Sequence, residues 1–206
     1  MGSEPAWEGG SEKTTQLTAC LRASSRSARS FLIRSSWMAK TLLDDAFDHH
    51  VWATLEVMDA CDALSPEQLA TAVPGTYGSI LDTMRHLVGA DASYLFTVTR
   101  ERVPNIDEEQ MDLAELRAVM EGNGKAWSEL LAEGVDPSEV LVKTWDDGHQ
   151  TQAPYGIRLA QALHHGTDHR SQICTALTTL GIEPPLIDVW DFGEQTGSVV
   201  VIAPPS

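Results

Sequence analysis

Apolar residues recur at steps of three and four along four long stretches of this chain, the pattern of helices that bury one face. Over residues 41–63, Leu43, Phe47, Val51, Leu55, Met58 and Cys61 form a single stripe. Ser65-Pro66-Glu67-Gln68 then supplies an N-cap, a proline at the first helical position and a capping-box glutamine, and starts a short helical turn. Residues 73–78 read as a loop. A second helix opens on Ser79 and runs to about Arg102, with Ile80, Met84, Leu87, Tyr94 and Val98 on its stripe. A third opens on Asp112, with Glu115 three residues on, and ends at Gly134. Gly122-Asn123-Gly124 inside it costs about 1 kcal/mol per glycine against alanine, and marks where it would divide in two. Residues 139–152 change period: Val140, Val142 and Trp145 precede Asp146-Asp147-Gly148, a hairpin signal. A fourth helix spans about 155–180 and stops before Gly181, with Pro184-Pro185 forbidding continuation. Residues 199–202 have the composition of a terminal strand. The expected fold class is all-α: a four-helix bundle with a small hairpin between its third and fourth helices.

Charge divides the 206-residue chain unevenly. Residues 1–37 carry five Lys/Arg against three Asp/Glu, and residues 38–206 carry nine against 27. A body that acidic repels nucleic-acid phosphates and anionic membranes, and no basic stripe interrupts it. The expected partner is a small-molecule substrate, with neither nucleic acid nor membrane; no apolar run approaches the ~20 residues of a membrane span. Cys20, Cys61 and Cys174 make no CxxC pair and no disulfide framework, which fits a reducing, cytoplasmic setting. Residues 1–37, rich in Ser and Arg without sustained period, are expected to be a disordered N-terminal extension, with an organellar transit peptide as the alternative. The domain is expected to occupy 38–206.

Candidate chemistry gathers on histidines. His165 and His169 are four residues apart, one helical turn above each other, and His86 lies midway along the second helix beside Thr83, Ala90 and Ser93, all small. At 100° per residue, His169 falls at the edge of the fourth helix's apolar arc and His165 about 40° beyond it, whereas His164 faces away. Three neutral imidazoles from two helices can hold a divalent transition metal with a coordination position left open. From spacing alone the alternatives stand beside this: His86 as an exposed helix residue, and His165 and His169 as histidines packed on backbone or carboxylates. Gly166 after His165 excludes the HExxH protease pattern. Asp168, Arg170 and Gln172 are candidates to orient the imidazoles, Gln172 best placed because it projects close to His165. His50, at the edge of the first helix's stripe, is a candidate to line the same cavity, with packing as the plainer role. His149 is expected to be exposed, Cys61 and Cys174 to be small core residues, and Trp52, Trp127 and Trp145 to lie in the core.

Four stretches in order resemble the DinB-like (YfiT-type) superfamily of metal-dependent enzymes: His50-Val51-Trp52-Ala53; Gly78-Ser79-Ile80 with Thr83 and His86-Leu87; His165-Gly166-Thr167-Asp168-His169-Arg170-Ser171-Gln172-Ile173; and Asp188-Val189-Trp190-Asp191. The resemblance spans about residues 40–191. It departs at Ser171, where glycine is common. It implies a four-helix bundle, often a homodimer, with a metal held by His86, His165 and His169. The ion would be zinc or nickel, and the cofactor set would extend to a low-molecular-weight thiol, since relatives include thiol transferases and isomerases. The resulting expectation is a metal-dependent enzyme acting on a small molecule, of thiol S-transferase or isomerase type. A metal-dependent hydrolase and a non-catalytic metal-binding stress protein are the alternatives.

Overall fold

The computed structural model describes residues 40–145 and 147–202; the extension expected over 1–37 lies outside them. Within this range the chain is mostly helical with one small sheet: α1 (Leu42–Cys61), α2 (Pro66–Leu69), α3 (Ile80–Val98), α4 (Leu113–Glu133), β1 (Val140–Thr144), β2 (Gln150–Pro154), α5 (Tyr155–Thr179) and α6 (Val189–Gln195). The helix starts follow local chemistry. Thr41, Ser65 and Asp112 each close a capping box with the residue three positions on, and Ser79 accepts from the Asp82 amide. No helix among the described residues is long and apolar enough to cross a membrane.

The four long helices pack as a closed set, α1 and α3 each lying against both α4 and α5. Two apolar clusters fill the space between them. One joins Val57 and Met58 of α1, Met84 and Leu87 of α3, Leu116 and Met120 of α4, and Ile173 and Leu177 of α5. The other joins Phe47, Leu95, Trp127, Leu130, Leu159 and Ala162 with Leu141 of the hairpin. The order of these residues along each helix makes α1 and α5 run from the second cluster to the first, and α3 and α4 the reverse. The connection over 99–112 therefore returns along the molecule, with Ile106 and Met111 packed on the first cluster and Val103 on the second.

Between the two clusters lies a buried polar layer to which every long helix contributes. Arg170 of α5 is 2% exposed and donates to His50 Nδ1 (3.0 Å), the His50 carbonyl (3.2 Å), Thr54 Oγ1 (3.1 Å) and Thr167 Oγ1 (3.1 Å). A guanidinium has only donors, so His50 Nδ1 accepts and its Nε2–H donates to Asp91 Oδ1 at 3.1 Å. Asn123 Nδ2 (2.9 Å) and Trp127 Nε1 (3.2 Å) complete the carboxylate's shell. A buried cation and a buried anion thus face each other through one imidazole. Burial pulls the Arg170 guanidinium down to about 10, which leaves it charged at neutral pH, and Asp91 opposes the shift. Gly166 is required here: a Cβ on it would come within 2.6 Å of His50 Nδ1.

Several expectations change. The second helix, α3, ends at Val98 rather than Arg102, because Arg100 and Glu101 take positive φ (55° and 67°) and turn the chain. The third, α4, runs unbroken through Gly122-Asn123-Gly124: Asn123 is held by Asp91, and at Gly124 α1 approaches so closely that a Cβ would meet Val51 Cγ1 at 3.0 Å. The expected strand at 199–202 is absent, and the chain there folds back with the Val199 amide on the Gly193 carbonyl. Trp145 is 42% exposed at the hairpin tip, stacked on His149 and under the Lys143 ammonium, because a two-stranded ribbon has no second layer to bury it.

Removing the charge of Asp91 tests the polar layer. Asp91→Asn leaves Arg170 buried without its counter-charge, and breaking such a pair costs about 3–5 kcal/mol. Urea unfolding should show that loss as a lower midpoint at unchanged slope; a loss under about 1 kcal/mol would mean the layer contributes little.

Candidate metal centre

His86 of α3 and His165 and His169 of α5 converge through their Nε2 atoms. His165 Nε2 stands 3.2 Å from His86 Nε2 and 3.2 Å from His169 Nε2, and one nitrogen from each ring lies within 4.8 Å of the others. Four-coordinate zinc with Zn–N bonds of about 2.0–2.1 Å separates its ligand nitrogens by about 3.3 Å, so these imidazoles could hold a metal ion. The side chains reach this point because α3 and α5 pack along one another, and positions 165 and 169 are one turn apart on the face turned to α3.

The orientation of His169 follows from its neighbour. Gln172 Oε1 accepts the Tyr77 backbone N–H at 2.8 Å, so the amide presents its oxygen, and His169 Nδ1 at 3.2 Å from the same atom must be the donor. That tautomer leaves the Nε2 lone pair free toward the cluster. Tyr77 also stacks on His86 (4.0 Å between centroids, 7° between planes) and meets His169 edge-on at 5.6 Å. Tyr94 meets His165 edge-on at 5.7 Å and accepts a hydrogen bond from Gln161. Burial, then the charges of His169 and His86, hold the His165 imidazole down at about 4, and burial lowers His86 as well. Both rings are therefore neutral at pH 7, the form that can ligate.

The remaining predicted residues lie elsewhere. Asp168 is exposed and makes no hydrogen bond to the three imidazoles; only its charge reaches His165. Arg170 follows His169 in sequence but points about a quarter-turn away, into the polar layer, because each helical step rotates by 100°. His50 is 1% exposed and lines a different cavity, of about 590 Å³, between α1, α5 and residues 184–189, together with Ala46, Leu163 and Cys174. A second cavity, of about 520 Å³, opens beside His86 and is lined by Tyr77, Asp82, Arg85 and Glu108. Cys61 is buried and its thiol pushed up to about 12 by burial, and Cys174 is raised for the same reason, so neither offers a thiolate.

Sequence reasoning missed Tyr77, Tyr94, Glu108, Asp91 and Asn123. Asp91 carried one readable signal, a carboxylate among Leu87, Val88, Ala92 and Leu95, where an acidic residue needs a buried partner. The others act through contacts between segments distant in sequence.

The His165 shift fixes a pH dependence for the metal-free protein. The unfolded chain protonates this ring near 6.5 and the folded chain near 4. Above 6.5 both states are neutral and stability is unaffected. As pH falls from 6.5 toward 4 the unfolded state takes up a proton the folded state refuses, so stability drops, and it levels off below 4. Urea unfolding of the metal-free protein at pH 7 and pH 5 should show a larger loss for wild type than for His165→Gln; equal losses would contradict the shift.

The DinB family model matches residues 38–199. No curated protein matches the chain.

Proposed function

The chain belongs to the DinB family, and from that membership we propose that it is a metal-dependent enzyme acting on a small molecule, of the thiol S-transferase or isomerase type. In this reading α1, α3, α4 and α5 form the family's four-helix bundle, and His86, His165 and His169 hold one divalent ion, zinc or nickel. The observation that carries it is the convergence of three Nε2 atoms, with His169 turned lone pair inward by the Tyr77–Gln172 contacts. A donor set of three imidazoles suits zinc or nickel better than calcium or magnesium, which take oxygen ligands.

Such an ion, when bound, lowers the pKa of a thiol or water beside it and supplies a nucleophile near neutral pH. The chain's own residues prepare the site. Burial keeps His86 and His165 unprotonated. Tyr77 covers one face of His86 and, with the Gln172 amide, restrains the loop before α3. The cavity beside His86 is large enough for a small electrophile and its nucleophile. We also propose that the protein works as a homodimer in a reducing, cytoplasmic compartment, where the free thiols of Cys61 and Cys174 persist.

Metal content tests this reading. Untagged wild-type protein should carry about one zinc or nickel per chain by mass spectrometry. His169→Ala and His86→Ala should each lose most of it while keeping helical circular dichroism. Wild-type protein that stays empty after incubation with either ion overturns the proposal.

A further inference from the structure

The returning connection between α3 and α4 brings two carboxylates to the cavity beside His86, the exposed Glu109 and, more buried, Glu108. Glu108 is half-buried and lines the same cavity as His86. It packs on Gly89, three residues after His86 and so on the adjoining turn of α3. A Cβ at position 89 would come within 2.6 Å of Glu108 Oε2 and closer still to the carboxyl carbon, so the carboxylate fills the space a side chain there would take. The buried helical glycine has its reason in this contact, against an intrinsic cost of about 1 kcal/mol.

Among the described residues the Glu108 carboxylate has no hydrogen-bond or ion-pair partner. Asp82, in the same cavity, is engaged by Ser79 Oγ (2.6 Å) and Arg85 (3.8 Å). Nor is Glu108 a ligand: the atoms gathered within 4.8 Å are the three imidazoles and no carboxylate. Its negative charge nevertheless reaches His86, on which it acts to raise the pKa. A half-buried, unpaired carboxylate next to ligand groups but outside their cluster is placed to receive a proton.

We propose that Glu108 is the proton acceptor of this site, which rests on the thiol-dependent reading above. The S–H bond of a thiol in the cavity breaks, its electron pair stays on sulfur, and the proton passes to a Glu108 carboxylate oxygen. The neutral acid then returns the proton to the product or to solvent.

The test uses full-length protein loaded with cobalt(II) and rapid mixing with 2-mercaptoethanol, following the sulfur-to-cobalt absorption band. Glu108→Gln should keep its metal and its melting temperature and form the band at least about 100-fold more slowly, the usual scale of a lost general base. Gly89→Ala supplies an independent arm: the new methyl group pushes the flexible carboxylate aside, and the same slowing should appear with metal retained and no loss of stability. Band formation within threefold of wild type in both variants overturns the proposal. Loss of metal in Glu108→Gln also overturns it, by making Glu108 a ligand. Wild-type protein that holds cobalt but never forms the band removes the thiol step and this role with it. Wild-type protein that holds no metal instead overturns the reading on which the proposal rests.

Discussion

A single buried pairing, Arg170 with Asp91 through His50, sets the relative positions of all four long helices. Each charge would be costly alone in an interior of low dielectric, and the pair is tolerable only while its hydrogen bonds are complete. Completion takes His50 and Thr54 from α1, Asp91 from α3, Asn123 and Trp127 from α4, and Arg170 from α5. Apolar packing above and below this layer is less directional and would tolerate small slips of one helix along another. The polar layer does not, because a shift of about one ångström strands a charge.

That constraint bears directly on the candidate metal centre. His169 and Arg170 are consecutive, and His86 precedes Asp91 by five residues on the same helix. Fixing Arg170 and Asp91 in one interior plane therefore fixes where His165, His169 and His86 emerge on the neighbouring face. The spacing of 3.2 Å from His165 Nε2 to each of the other two is a consequence of helix registry as much as of local chemistry. The centre is thus supported on rigid elements, while the groups around it, Tyr77 and Glu108, come from the connections that precede α3 and α4.

Local rules carried far along this chain. The caps at Ser65, Ser79 and Asp112 were readable because a side-chain oxygen three residues before a donor amide is a short-range interaction. The end of α3 was not, because positive φ is rare for residues such as Arg100 and Glu101 and their identity does not signal it, although the bonds that hold the turn, such as the Glu101 amide on the Phe96 carbonyl, are local. Gly122-Asn123-Gly124 misled for a related reason: propensity disfavours helix there, and the close approach of α1 at Gly124 with the Asn123–Asp91 bond outweighs it. Arg170 shows the limit of a helix wheel, which gives direction but not partner.

From the sequence alone came the helical class, the hairpin, and the pairing of His165 with His169, since periodicity and i,i+4 spacing are properties of one segment. His86 was a candidate third imidazole from its place on the second helix, with an exposed role as the alternative, and the resemblance carried by the four motifs implied it as their companion. Only the tertiary structure decided that the three nitrogens meet, that His50 and Arg170 serve the interior instead of the site, that Tyr77 and Gln172 orient His169, and that Glu108 stands over Gly89. Each of these depends on two segments far apart in the chain arriving within a few ångströms. That distance is set by packing and by the buried charge pair, and no single stretch of residues contains it.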